Sequence, residues 1–200
     1  MSRFKKKAGK HSIYRIISVE PYHIATEYIG KSLFDSGHDG VNGGFFSRSR
    51  DVLNIHYTKG QSVNQTSQPN VNSWTFYITD DEQMGCTNAL TISELEGKVG
   101  QVYFAVGGKD FNRDNYKYGG KYFSKAYRTL IAQQDQKVHL IQTVKKVTIP
   151  ECITDLNIMG YDLNTIVNLD GGGSSQMAYN SYDYDPSGKK RAVPFIIKLK

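Results

Sequence analysis

The chain has 200 residues, 38% of them hydrophobic, enough for one domain with a substantial core. Its formal charge of +6 resides in the ends: Arg3, Lys5, Lys6, Lys7 and Lys10 open the sequence, Lys189, Lys190, Arg191, Lys198 and Lys200 close it, and neither tail holds an acid. Setting those ten aside leaves 15 of the 25 Lys and Arg against all 19 Asp and Glu, which argues against a specific nucleic-acid surface.

The first thirty residues lack the apolar run of an export signal, and no stretch approaches bilayer-spanning length, so the expectation is a cytoplasmic protein without membrane contact. Two cysteines, Cys86 and Cys152, are too few for a disulfide scaffold. Residues 1–11 read as a basic flexible arm and residues 12–200 as the domain.

In chain order, Ser12–Val19 alternates like a strand, and Pro21 ends it. Tyr22–Ile29 follows as a second strand, then a short helix over Lys31–Gly37 closed by the glycine. Gly40-Val41-Asn42-Gly43-Gly44-Phe45-Phe46 is a glycine cluster whose plain reading is a hairpin turn anchored by two rings. Val52–Tyr57 and Trp74–Thr79 read as strands around a polar surface loop, Thr58–Ser73. Thr91 and Glu94 match a capping box, predicting a short helix that Gly97 stops. Gln101–Val106 is a strand broken at Gly107-Gly108, and Lys109–Gly120 is a polar loop long enough to border a pocket.

Tyr127–Ala132 and Lys137–Val144 form a hairpin pair. Arg128 alternates with apolar neighbours there, so it points either into a site as a rigid anion clamp or outward to solvent. Thr148-Ile149-Pro150-Glu151 combines an N-cap, an early proline and a capping glutamate, with Ile149, Cys152, Leu156 and Met159 on one face before Gly160. Thr165–Leu169 is a buried strand, Ser175–Tyr179 a strand leading away, Asn180–Gly188 a loop, and Val193–Leu199 the terminal strand. The sum is an α+β fold: a single compact domain with a mixed, largely antiparallel sheet and a few packed helices.

The stretch with the most chemistry is Asn168-Leu169-Asp170-Gly171-Gly172-Gly173-Ser174-Ser175-Gln176-Met177. A strand delivers one carboxylate to three glycines and two hydroxyls. Such a loop either approaches a ligand closely as an anion-binding nest or is a loose turn. No lysine follows until Lys189, which excludes a P-loop, and no amphipathic helix follows, which excludes a dinucleotide fingerprint.

These pieces resemble, in order, the phosphodiester glycosidase family. The resemblance rests on Val41–Phe46, on Arg128-Thr129-Leu130-Ile131-Ala132, on the helix ending at Gly160, on Asn168–Met177 and on Arg191-Ala192-Val193-Pro194, and spans residues 35–200. Gln61–Asn72 and the helix entry Thr148–Glu151 depart from the family pattern. The resemblance implies hydrolysis of a glycosyl phosphodiester. Asp170 would then be the catalytic carboxylate, Asn42 would orient sugar hydroxyls or the Asp170 loop, and Arg128 and Arg191 would hold phosphate. Gly43, Gly44, Gly171, Gly172, Gly173, Ser174 and Ser175 would line the substrate. His38 and His56 are weaker candidates. No cofactor is required, and no ligand cluster calls for a metal, although a divalent ion is compatible with the pattern. The partner would be a glycosyl phosphate or nucleotide-like small molecule. Two alternatives stand beside hydrolysis of a soluble substrate: a non-catalytic protein that sequesters such a ligand, and a virus-encoded enzyme directed at anionic wall polymers.

Overall fold

The computed structural model describes residues 2–61, 73–111 and 120–200, and these form three antiparallel sheets. Most of the two polar loops anticipated at 58–73 and 109–120 therefore lies outside the described residues. The first sheet is ordered β1 (Arg3–Ala8), β2 (Ile13–Val19), β10 (Lys137–Thr143), β9 (Thr129–Gln134), β11 (Ile166–Asn168). The second is β13 (Tyr182–Tyr184), β12 (Met177–Tyr179), β4 (Gly40–Asn42), β14 (Val193–Leu199), β3 (Ile24–Lys31). The third is β5 (His56–Thr58), β8 (Val102–Gly108), β6 (Trp74–Thr79), β7 (Met84–Asn88).

The largest core cluster draws on all three sheets, with Ile17, Leu140, Ile131 and Val167 from the first, Ile24, Val41 and Ile197 from the second, and Phe76, Phe104 and Val106 from the third. The first sheet is covered on its other face by α4 (Ile149–Ile158), where Ile149, Cys152 and Leu156 join Tyr14, Ile16, Leu130 and Ile141. Burial on both faces is why β9 and β10 carry apolar residues in succession instead of a clean alternation. Each buried large aliphatic side chain contributes about 1.5–3 kcal/mol. The entry of α4 follows the capping pattern: Thr148 Oγ1 accepts from the Glu151 amide at 3.2 Å, and Glu151 Oε2 accepts from the Thr148 amide at 2.7 Å. Two smaller helices, α1 (Leu33–Ser36) and α2 (Ile92–Val99), cover the second and third sheets through Leu33 and Leu95, and one turn of helix, α3 (Gly120–Phe123), precedes β9.

The amino-terminal segment is not a flexible arm. Residues 3–8 pair with β2 from Arg3↔Ser18 to Ala8↔Ile13, and Phe4 stacks on Tyr179 and Tyr184 at 5.7 and 5.2 Å. The buried Asp155 carboxylate holds the turn, accepting from the amides of His11 (3.0 Å) and Ser12 (3.1 Å) and from Tyr14 OH (3.0 Å). The lysines that suggest a solvated arm instead line a sheet edge, where they discourage edge-to-edge pairing. Smaller differences follow the same rule of tertiary override. Helix α2 runs through Gly97 to Val99, β8 runs on to Gly108, β5 starts only at His56, and β7 pairs with β6 although its sequence carries no strand pattern.

Candidate active site

Three sheets meet at Asp170. Asn168 and Lys109, just past β8, exchange main-chain bonds of 2.9 and 2.8 Å, which ties the loop to the third sheet. The Leu169 amide donates to the Thr129 carbonyl of β9 at 2.9 Å. The Asp170 amide donates to the Gly43 carbonyl at 3.3 Å, and the Asp170 carbonyl accepts from Asn42 Nδ2 at 2.6 Å, tying it to the second sheet. The half-buried Asp170 is thus fixed through its own main chain.

Below the loop lies a polar floor. Asn42, only 1% exposed, uses Oδ1 to accept from Thr129 Oγ1 (2.8 Å) and the Gln176 amide (3.0 Å), and Nδ2 to donate to the Gly43 and Asp170 carbonyls. That uses both donors and both acceptor positions of the amide. Asn42 thereby links Gly43 to Asp170 across the two loops. Ser175 belongs to this floor as well: it is fully buried, with Oγ 2.9 Å from Thr129 Oγ1. Gln176 extends the network, accepting from the Leu33 amide at 2.8 Å and donating to the Arg191 carbonyl at 2.6 Å.

Gly43 and Gly44 are glycines because of close approach. A β-carbon on Gly43 would stand 2.6 Å from His56 Nε2, and one on Gly44 would stand 2.5 Å from the Gly107 carbonyl. His56 stacks on Phe195 at 4.9 Å and accepts the Gly44 amide on Nε2 at 2.8 Å. Burial pushes its pKa down to about 3, so the ring is neutral and braces the back of the loop. His38 lies elsewhere, paired with Glu27 at 3.1 Å.

The glycine run is less of a nest than its composition suggests. The Gly172 amide donates to the Tyr127 carbonyl (2.8 Å), and those of Ser174 and Ser175 close a short 3₁₀ turn onto Gly171 and Gly172 at 3.1 and 3.4 Å. Only the amides of Gly171 and Gly173 make no hydrogen bond among the described residues. Ser174 is fully buried, its Oγ accepting from Arg191 Nη1 at 3.1 Å.

The two arginines part company here. Arg128 precedes β9 and is 8% exposed; its Nε donates to the Val147 carbonyl at 3.2 Å, and its Nη2 donates to the Val147 and Ser124 carbonyls at 3.2 and 2.8 Å. These bonds tie Nε and Nη2 to the main chain on either side of Tyr127. Arg191 is exposed, lies over the Phe46 ring at 5.3 Å, and flanks Gly173.

Sequence alone assigns no role to Thr129 or Gln176 and only a weak catalytic one to His56, yet these three carry the framework of the site. The inward position of Thr129 next to Arg128 in the strand is the available signal. An open cavity of about 590 Å³ lies at the far end of β9, lined by Glu20, Asp81, Glu82, Gln133 and Lys137 among others, with no residue of the Asp170 loop. Lys137 pairs there with Glu20 at 2.7 Å, and none of the sequence-predicted site residues lines the cavity. Among the described residues no group of three His, Cys, Asp or Glu side chains is arranged to hold a metal, and no helix is long and apolar enough to cross a membrane.

A family model for phosphodiester glycosidases matches residues 39–200. No curated protein matches the chain by sequence. Among solved structures, the chain is similar to the catalytic domain of zebrafish N-acetylglucosamine-1-phosphodiester alpha-N-acetylglucosaminidase auto-inhibited by its pro-peptide. That likeness has 12% identity and a TM-score of 0.69, over 100% of this chain and 82% of that one. It is also similar to a protein from Synechocystis (12% identity, TM-score 0.58, 100% of this chain and 62% of that one). A third likeness is to a Burkholderia pseudomallei protein described as exported (12%, 0.60, 94% and 74%). At 12% identity these likenesses speak for the fold. The family match takes in the Asn42 and Asp170 loops, Arg128 and Arg191, the segments that the three-sheet junction assembles, and the chain belongs to the phosphodiester glycosidase family.

Proposed function

We propose that the protein hydrolyses the bond between a sugar and the phosphate of a glycosyl phosphodiester, with Asp170 as the catalytic carboxylate. The observation that carries this reading is the anchoring of Asp170: its amide and carbonyl are both bonded to the Asn42–Gly43 segment, and its neighbours are bonded to the other two sheets. A carboxylate carried on so firmly held a main chain stabilises a developing oxocarbenium-like charge with little backbone reorganisation as the charge forms. It does so by contact, by attack or by activating water.

The leaving group explains why one carboxylate suffices. A phosphate monoester departs as a stable anion, so the reaction depends less on a strong general acid than ordinary glycoside hydrolysis does. Arg191 and the amides of Gly171 and Gly173 receive that phosphate, while Arg128 and Asn42 act by holding the wall and floor. The zebrafish relative is named for a substrate of this bond type, which is the class proposed here; the sugar is left open.

The test is incubation with a panel of glycosyl phosphodiesters and sugar nucleotides, following free sugar and phosphate by mass spectrometry. Asp170→Asn should keep its melting temperature and lose on the order of 10²–10³ in kcat. Full turnover by Asp170→Asn would remove Asp170 from the chemistry. Recovery of one ligand, intact and stoichiometric, would make the protein a sequestering binder instead.

A further inference from the structure

The loop joining β13 to β14 is shaped by one carboxylate. Asp185 Oδ1 accepts from the amides of Ser187 (2.9 Å) and Gly188 (3.0 Å) and from Ser187 Oγ (2.7 Å), while Oδ2 accepts from the Lys190 amide at 2.6 Å. Burial raises the Asp185 carboxyl, but the bonds from Lys190, Ser187 and Gly188 outweigh it and hold the group below its ordinary value. The clamp keeps Lys190 at φ 43°, a conformation that residues with a β-carbon rarely adopt. Strain of this kind calls for a reason, and the reason on view is what the loop presents.

It presents Lys189, Lys190 and Arg191 in succession, all exposed, beside the glycine loop. Lys189 Cδ and Arg191 Cδ stand 3.8 and 4.0 Å from where a β-carbon on Gly173 would lie. None of the ion pairs among the described residues involves any of the three. Arg191 alone matches the single charge of a phosphodiester. A second cation on the same side of Gly173, on a loop held in a disfavoured shape, exceeds that need.

We propose that Lys189, next to Arg191, forms a second anion subsite beside the Asp170 loop, and that the preferred substrate carries its sugar on a diphosphate, as a nucleoside diphosphate sugar does. This rests on reading the Asp170 loop as a glycosyl-phosphate site. The phosphate next to the sugar meets the Gly171 and Gly173 amides, and the following phosphate meets Lys189. Lysine suits that position as a mobile point charge, since the second phosphate's angle varies with the group beyond it.

The test separates the subsite from catalysis. Inorganic phosphate and pyrophosphate are titrated calorimetrically into wild type, Lys189→Gln, Asp185→Asn and, as a charge control at the far end of β9, Lys137→Gln. Wild type should prefer pyrophosphate, and Lys189→Gln should reduce that preference about tenfold, the size of one lost charge-assisted contact. Asp185→Asn should reduce it too, although every cation remains, because the loop loses its shape. Lys137→Gln should keep it. Equal affinity for the two anions in wild type, or a preference that survives Lys189→Gln, overturns the proposal. In turnover, Lys189→Gln should raise KM more for a sugar on a diphosphate than for the same sugar on a single methyl phosphodiester; an equal change, or a preference for polymers whose phosphates are spaced by polyols, also overturns it. If pyrophosphate selectivity behaves as expected while wild type cleaves nothing, the subsite stands and the catalytic reading of Asp170 falls.

Discussion

The floor and the rim of the site differ in how their polar groups are used. On the floor, Asn42 is buried, and its side-chain amide makes four hydrogen bonds to Thr129, Gln176, Gly43 and Asp170. On the rim, Arg191 is exposed and its guanidinium donates to the Ser174 hydroxyl, while Lys189 has no ion pair among the described residues. Rigidity is concentrated under Asp170, which the proposed function requires of a catalytic carboxylate. On the proposed function, the adaptable cations lie on the side where the variable part of the substrate would arrive.

The sharpest way to break this contrast, after Asp170→Asn itself, is Asn42→Ala. It removes the acceptor of the Gln176 amide and one partner each from the Thr129 hydroxyl and the Gly43 and Asp170 carbonyls, and we expect a loss of about 3 kcal/mol in urea unfolding together with loss of turnover. A change under about 1 kcal/mol would mean that the floor repacks and does not position Asp170.

The two arginines come next. Arg128→Met should cost about 2 kcal/mol, because the Val147 and Ser124 carbonyls lose the bonds from the guanidinium. Arg191→Gln should leave the melting temperature within error and raise KM about tenfold, as loss of one charged contact to phosphate would. If Arg128→Met instead keeps its stability and raises KM, Arg128 belongs to the rim.

The smallest expected effect is on pH dependence. Burial holds His56 at about 3, and burial together with nearby Lys5 holds His139 at about 4, both from an ordinary 6.5. In the unfolded chain both take up a proton below about 6.5. Between pH 6 and 4 the unfolded state therefore binds more protons, and stability falls as pH falls, by up to about 1.4 kcal/mol per unit from each ring. Urea midpoints for wild type and His56→Gln across this range should show a shallower slope in the variant. An unchanged slope would mean that His56 is not held neutral by the fold.

Local signals in the sequence are enough where structure is locally caused. The strand Trp74–Thr79, the capped helix after Thr148 and the terminal strand Val193–Leu199 come from alternation and capping, which act within a few residues. The segment Arg3–Ala8 reads as an arm because charge dominates its composition, whereas its place depends on Phe4 meeting Tyr179 and Tyr184 from the far end of the chain. Arg128 is ambiguous for a related reason: a period of two assigns residues to opposite faces without saying what covers either face.

What the sequence determined by itself is that a strand ends in a carboxylate followed by three glycines, and that Asn42-Gly43-Gly44 and Arg191 belong to the same family pattern. Only the tertiary structure decided that Asp170 stands where three sheets join, that Asn42 and Ser175 lie beneath it, and that Arg128 braces a wall while Arg191 faces solvent. The physical reason is range. Turns, caps and strands follow from neighbouring residues, but the hydrogen bonds that aim Asp170 come from Asn42 and Gly43, far along the chain, and exist only once the sheets have packed.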